Sequence, residues 1–224
     1  MTATAHLVFD LDGTISDPAV GIQRSINYAL THFGFPALDP DQINRYIGPP
    51  LDETFIAITS NSSPDQIAAL VSKYRERYSD KGYSENLLYP GIREALNELA
   101  SKNTPMGVCT SKRADFADRI LQLFQIRGWF SFVDGGDIGI RKEQQVASLL
   151  SNGIISSSSW FIGDRAVDVL AANANGLRSV AVLWGYGTRD ELESARPDLI
   201  LKSPQELTRL AALVQPIASE KTSV

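Results

Sequence analysis

Apolar residues gather in short runs broken by polar or glycine-containing turns. HLVFDL (6–11), PMGVCT (105–110), WFSFVD (129–134), SWFIGD (159–164) and RSVAVLW (178–184) all have strand length. Between them the spacing turns helical: 113–124 carries Phe116, Ile120, Leu121, Leu123 and Phe124, and 142–150 carries Val146, Leu149 and Leu150. Strands alternating with helices predict an α/β fold, a Rossmann-like parallel sheet covered on both faces.

One connection breaks the alternation. More than ninety residues separate Asp12 from the next convincing strand near Pro105, and the interval reads as helices at 18–33, 40–46, 51–59, 64–81 and 91–102. An ordinary crossover is far shorter. The pattern predicts a helical domain, 16–84, inserted into a core made of 1–15 and 85–224, with the helix at 91–102 belonging to the core. Short joints near Ser16 and at 84–90 would let the insertion hinge. SSSS at 156–159 reads as a loop, and 217–224 as a frayed tail.

Composition narrows the classes. The 224 residues, 43% hydrophobic, suffice for one sizeable core and an appendage. A single cysteine, Cys109, excludes a disulfide framework or thiolate metal cluster. Position 115, where a cysteine-centred phosphate loop would need arginine, is Asp115, so Cys109 reads as buried core. His6 and His32 are too few for a histidine-rich dimetal site. Against 26 acidic residues stand 21 basic ones, a net charge of −5, which argues against a nucleic-acid-binding surface but not against a local anion site. The absence of an apolar run of about 18 residues argues against a membrane span, and the first motif starts too early for a signal segment, so a cytoplasmic protein is expected.

The strand ends carry the candidate chemistry. Asp is depleted in strands, yet Asp10 and Asp12 follow the first run, and carboxylates two apart on an extended segment share a face and repel. In an open parallel sheet, ligands bind outside the carboxyl ends of the strands. Reading those ends gives Asp10-Leu11-Asp12-Gly13-Thr14, then Thr110-Ser111-Lys112-Arg113, then Gly163-Asp164-Arg165-Ala166-Val167-Asp168. Clustered carboxylates can hold a hard divalent cation, Mg²⁺ being expected, while hydroxyls, backbone N–H groups and a lysine hold phosphate oxygens. Lys112 and Arg113 read equally as anion attractors or surface charge, and Arg165 as a solvated first-turn residue.

This arrangement resembles the haloacid dehalogenase superfamily over nearly the whole chain. DxDGT is Asp10 to Thr14, the strand-end Ser or Thr is Thr110, the lysine opening a helix is best matched by Lys142, and GDxxxD is Gly163, Asp164 and Asp168. With IGPPLDETF, TSK and LWGYGTRDELESARPD, the chain looks similar to the phosphoglycolate phosphatase-like group, some of whose members are 5′-nucleotidases. The resemblance implies a helical cap and a Mg²⁺-dependent phosphatase acting on a small phosphorylated metabolite, as a monomer or homodimer; a 5′-nucleotidase or a sugar phosphomutase is the alternative. It implies Asp10 as nucleophile, Asp12 as acid and base, and Mg²⁺ held by Asp10, the Asp12 backbone carbonyl and Asp164. Gly13, Thr14, Thr110, Ser111 and Lys142 would hold the phosphoryl group, and Asp168 would orient Lys142 or a metal-bound water. In the insertion, Arg45, Tyr46 and the stiff Gly48-Pro49-Pro50 loop are candidates for substrate contact and specificity. The DGxR spacing common before the lysine in related chains is missing from GGDIGIRKEQ, which leaves Arg141 as a rival to Lys142.

Overall fold

The computed structural model describes residues 4–214 apart from Ile138; the tail expected to fray, 217–224, lies outside the described residues. Its centre is a six-stranded sheet of β1 (Leu7–Phe9), β4 (Met106–Thr110), β5 (Val133–Gly135), β6 (Trp160–Gly163), β7 (Arg178–Val182) and β8 (Leu199–Leu201), ordered β5-β4-β1-β6-β7-β8. Every pairing in it is parallel. β1 is fully buried between two neighbours, which is why its three residues are all apolar rather than alternating. Leu7 and Phe9 point into one apolar layer with α4 (Ile92–Ser101) and α5 (Ala114–Leu123), and Val8 into the other with α6 (Lys142–Ser151) and α7 (Ala166–Ala174). Cys109 is buried in that second layer.

Two strands differ from expectation. The aromatic run 129–134 begins as a 3-10 turn, Arg127–Trp129, and only its end, from Val133, is strand; Phe132 lies against Gly107, where a Cβ would collide with its ring. β8 is too short and polar-flanked to stand out, in a stretch reading PDLILKS.

The chain leaves the sheet after β1 and returns before α4 through a small antiparallel ribbon, β2 (Ser16–Asp17) paired with β3 (Leu87–Leu88). Between them lie α1 (Ala19–His32), two 3-10 turns, α2 (Leu51–Thr59), α3 (Pro64–Asp80) and a third 3-10 turn, Gly82–Glu85. These helices share an apolar cluster of their own, built on Ile26, Leu30, Phe55, Leu70 and Tyr78, and Phe116 of α5 reaches up into it. Tyr78 stacks on Tyr74 with centroids 5.2 Å apart and meets Phe116 edge-on at 5.1 Å. The chain runs from β1 to β4 and β5 on one side and to β6, β7 and β8 on the other, so direction reverses at β1. That is the switch point at which an open sheet leaves a crevice beyond its strand ends.

Candidate active site

Asp10 follows β1 directly, and its N–H still donates to Ile162 O at 2.8 Å, so the sheet ladder fixes its position. Its Oδ1 accepts the Leu11 N–H at 2.7 Å. Gly13, with φ +84°, turns the chain sharply, and a Cβ there would run into the Asp164 carboxylate. Close passage of the loop past Asp164 therefore requires glycine. Asp164 is held at both oxygens: Thr14 Oγ1 donates to Oδ1 at 3.1 Å and the Tyr186 N–H to Oδ2 at 2.8 Å. Trp184 Nε1 donates to Thr14 O at 2.9 Å, which anchors the first loop from behind.

Lys142 opens α6 and is buried, whereas its neighbour Arg141 is exposed. Its Nζ lies 2.8 Å from Asp10 Oδ2 and 2.5 Å from Asp168 Oδ1. Asp168 sits in the first turn of α7, where its Oδ2 accepts the Arg165 N–H at 3.0 Å and its charge suits the helix N-terminus. Burial works against the Lys142 charge, but the Asp10 and Asp168 carboxylates outweigh it and hold the ammonium above its ordinary range. Burial pushes the Asp164 carboxyl up, helped by the charges of Asp168 and Asp10. It pushes Asp168 up too, with Lys142 opposing. Asp10, Asp164 and Asp168 each bring an oxygen within 4.8 Å of the others. Three buried hard donors against one ammonium leave excess negative charge, so the donor set fits a divalent cation.

Asp12 has a different environment. Its Oδ2 pairs with Lys112 Nζ at 2.8 Å, and its Oδ1 is buried without a hydrogen-bond partner among the described residues. Burial pushes the Asp12 carboxyl upward, with Lys112 opposing. Lys112 Nζ also donates to the Tyr78 hydroxyl on α3 at 2.7 Å. Below that contact is a cavity of about 70 Å³, with Asp10, Asp12 and Thr110 on one side and Tyr46, Tyr74 and Arg75 on the other. A larger cleft, about 510 Å³, borders Arg141, Lys142, Arg165 and Glu191. Gly48, Pro49, Pro50 and Ser111 line both spaces, so the proline loop partitions them.

The candidates are thus not all brought together. Thr110 ends β4, buried, with its Oγ1 accepting the Lys112 N–H at 3.3 Å. The Thr14 hydroxyl, expected to meet phosphate, is committed to Asp164. Arg45 lines neither space; it is exposed, with its guanidinium 4.8 Å from the Tyr46 ring centre. Arg165 is not a solvated first-turn residue: Nη1 donates to Ile47 O at 2.8 Å and Nε pairs with Glu191 at 2.9 Å. Tyr46, a candidate from sequence, lines the small cavity, whereas Tyr74, Arg75 and Tyr78 were missed from sequence. The available signal was the Tyr74–Tyr78 spacing, an i,i+4 pair on one helical face followed from the same run, KYRERY, by arginine.

Comparison with known proteins bears on this geometry. A family model described as haloacid dehalogenase-like hydrolase matches residues 7–182. The chain is 36% identical over 196 residues to a 5′-nucleotidase of Pseudomonas aeruginosa, covering 86% of this chain and 88% of that one. It is 32% identical over 210 residues to a phosphoglycolate phosphatase of Pectobacterium atrosepticum, covering 90% and 89%. A crystal structure described as a predicted phosphatase from Clostridium acetobutylicum superposes with TM-score 0.86 at 31% identity, covering 92% of this chain and 97% of that one. No helix among the described residues is long and apolar enough to cross a membrane.

Proposed function

The chain belongs to the haloacid dehalogenase-like hydrolase family and is a phosphoric monoester hydrolase; from that premise we propose that it is a Mg²⁺-dependent phosphatase of small phosphomonoesters, working through an aspartyl-phosphate. The observation that carries this reading is the meeting of Asp10, Asp164, Asp168 and Lys142 at the ends of adjacent strands. Asp10 attacks phosphorus as the ester P–O bond breaks, and Asp12 gives its proton to the leaving oxygen. A water then gives a proton to Asp12 and attacks the same phosphorus, which frees inorganic phosphate and restores Asp10. Lys142 and Thr110 hold phosphoryl oxygens in both displacements, and Asp168 keeps the ammonium aimed at Asp10. Asp10, the Asp12 backbone carbonyl and Asp164 would hold Mg²⁺, which offsets carboxylate repulsion of the phosphate dianion.

Segment 16–84 serves as a cap that shields this chemistry and selects the leaving group. The cavity beside Asp12, about 70 Å³, favours a short ester such as phosphoglycolate. The second reading, a 5′-nucleotidase, is favoured by the cleft of about 510 Å³, which has room for a nucleoside. Phosphate release from phosphoglycolate and from nucleoside 5′-monophosphates, with Mg²⁺ and with a chelator, tests both the class and the substrate; activation by a sugar bisphosphate would point to a phosphomutase instead. Retention of Mg²⁺-dependent release by Asp10→Asn would overturn the covalent route.

A further inference from the structure

Among the cations that line the small cavity and that the phosphorus chemistry does not use are Arg75, from the inserted helices, and Lys112, from the core loop after β4. Arg75 of α3 lines the small cavity; its Nη2 pairs with Asp137 of the core at 2.6 Å, while its Nε is buried with no hydrogen-bond partner among the described residues. A buried N–H without an acceptor is costly, and a ligand oxygen would relieve it. Lys112 lines the same cavity, fixed between Asp12 at 2.8 Å and the Tyr78 hydroxyl at 2.7 Å. Lys142 is not part of this lining. The site therefore has cations in two separate places, Lys142 at Asp10 and, beyond Asp12, Arg75 and Lys112 with Asp137 and Asp12 as their counter-ions.

An ester with phosphorus at Asp10 and its leaving oxygen at Asp12 extends its leaving group into this cavity. Only a few non-hydrogen atoms fit in about 70 Å³, so the far end of a short leaving group comes within reach of Arg75 and Lys112. We propose that Arg75 and Lys112 form an anion subsite that reads a carboxylate on the leaving group, one or two carbons from the ester oxygen. A guanidinium offers such a carboxylate paired donors, and the ammonium shared with Asp12 brings it beside the acid that protonates the same leaving group. The inference deepens the proposed function and rests on it.

The test compares 2-phosphoglycolate with 2-hydroxyethyl phosphate, which has nearly the same size and no carboxylate. The wild-type protein should prefer the first by about 30-fold or more in kcat/KM. Arg75→Ala should reduce that ratio at least tenfold, mainly by raising KM for phosphoglycolate, and Arg75→Lys should recover part of it. Asp137→Asn, which removes the ion pair to the core but keeps Arg75, should hold the ratio within threefold. No preference in the wild type, equal losses for both esters in Arg75→Ala, or the same collapse in Asp137→Asn would overturn the subsite. A stronger preference for ethylene glycol bisphosphate than for phosphoglycolate would overturn its carboxylate assignment. The catalytic reading is judged by Asp10→Asn and this one by ratios between substrates that turn over, so each can fail alone.

Discussion

Two buried lysines face the same site from opposite circumstances. Lys142 takes both carboxylate partners, Asp10 and Asp168, from the core, at positions set by β1 and the start of α7. Lys112 takes Asp12 from the core but a phenol, Tyr78, from the inserted helices. Moving the insertion would leave the partners of Lys142 untouched and strip Lys112 of one of its two. On the proposed function, the half of the site assigned to phosphorus is therefore held by the core alone, while the half assigned to the leaving group is complete only with the inserted helices in place.

The largest effects should fall on the half held by the core. Asp10→Asn keeps the shape but loses the proposed nucleophile, so Mg²⁺-dependent phosphate release should vanish while the circular dichroism spectrum stays native. Lys142→Ala removes the charge on the phosphoryl oxygens and should lower kcat/KM by about 10²-fold or more. Exposed Arg141→Ala should cost far less. If Arg141→Ala proved the more damaging, the contrast between the two lysines would collapse, because the phosphoryl cation would then stand outside the buried cluster.

Asp12 stands at the boundary between the halves, and its loss should depend on the substrate. In Asp12→Asn, an alkyl phosphate should lose about 10²-fold or more in kcat, since its alkoxide needs the proton, whereas an aryl phosphate should lose markedly less in the phosphorylation step. Single-turnover burst measurements with both esters separate the cases. Equal losses would remove the acid role and leave Asp12 as a mere counter-ion to Lys112.

Metal and pH sharpen the comparison differently. The folded Asp164 and Asp168 carboxyls lie above their unfolded values, so the folded metal-free protein binds more protons than the unfolded chain between those values. Their contribution to stability is full below the unfolded carboxylate range and is lost as pH rises through the folded values. Mg²⁺ would replace those protons, so its stabilisation should grow with pH. Saturating Mg²⁺ should raise Tm by several degrees at pH 8 and by less at pH 6. A gain that is flat with pH would place the cation away from these two carboxylates.

How far all this was legible in the sequence follows the same division. Asp10, Thr110, Asp164 and Lys142 could be found because each stands at the end of an apolar run or the start of a helical one, and the parallel sheet carries such ends to one edge. The spans of α1, α2 and α3 were also readable, since each holds to one apolar face, but 40–46, expected as a helix, forms two 3-10 turns, Pro40–Gln42 and Asn44–Tyr46. What could not be read was which side of α3 faces the core. Arg75 sits in a run of charged and aromatic residues that fits a solvated helix equally well, and its contact with the core is to Asp137, 62 positions away. β8 was invisible for a related reason: three residues beside β7 owe their strand form to the neighbour, not to their own pattern.

Smaller effects should come from the contacts that join the halves. Tyr78→Phe keeps the ring stack with Tyr74 and removes the hydroxyl that accepts from Lys112 Nζ at 2.7 Å and, at the longer 3.5 Å, from Asn86 Nδ2. One hydrogen bond is worth about 1 kcal/mol, or roughly fivefold. A three- to tenfold fall in kcat/KM for a short alkyl ester is expected, with a smaller change for acetyl phosphate, which has little leaving group to read. An equal fall for both would mean that the hydroxyl supports the catalytic half instead.

The smallest effect separates two residues that the sequence put together. Arg45 and Pro50 belong to the same stretch of the insertion, but only Pro50 lines the cavity, capping α2 with φ −57°, while Arg45 lies in solvent over the Tyr46 ring. Pro50→Ala frees a backbone that the pyrrolidine ring holds, a loss of about 0.4–1 kcal/mol in loop rigidity. It should therefore shift relative kcat/KM among natural esters by two- to threefold. An exposed cation–π contact is worth only about 0.5–1 kcal/mol and touches no cavity wall here, so Arg45→Ala should leave every ester within twofold of wild type. Kinetics of both variants on phosphoglycolate, a nucleoside 5′-monophosphate and acetyl phosphate decide the matter. If Arg45→Ala reordered the esters while Pro50→Ala did not, the leaving group would be read from the solvent side of the loop, and the cavity beside Asp12 would lose its claim to select the substrate.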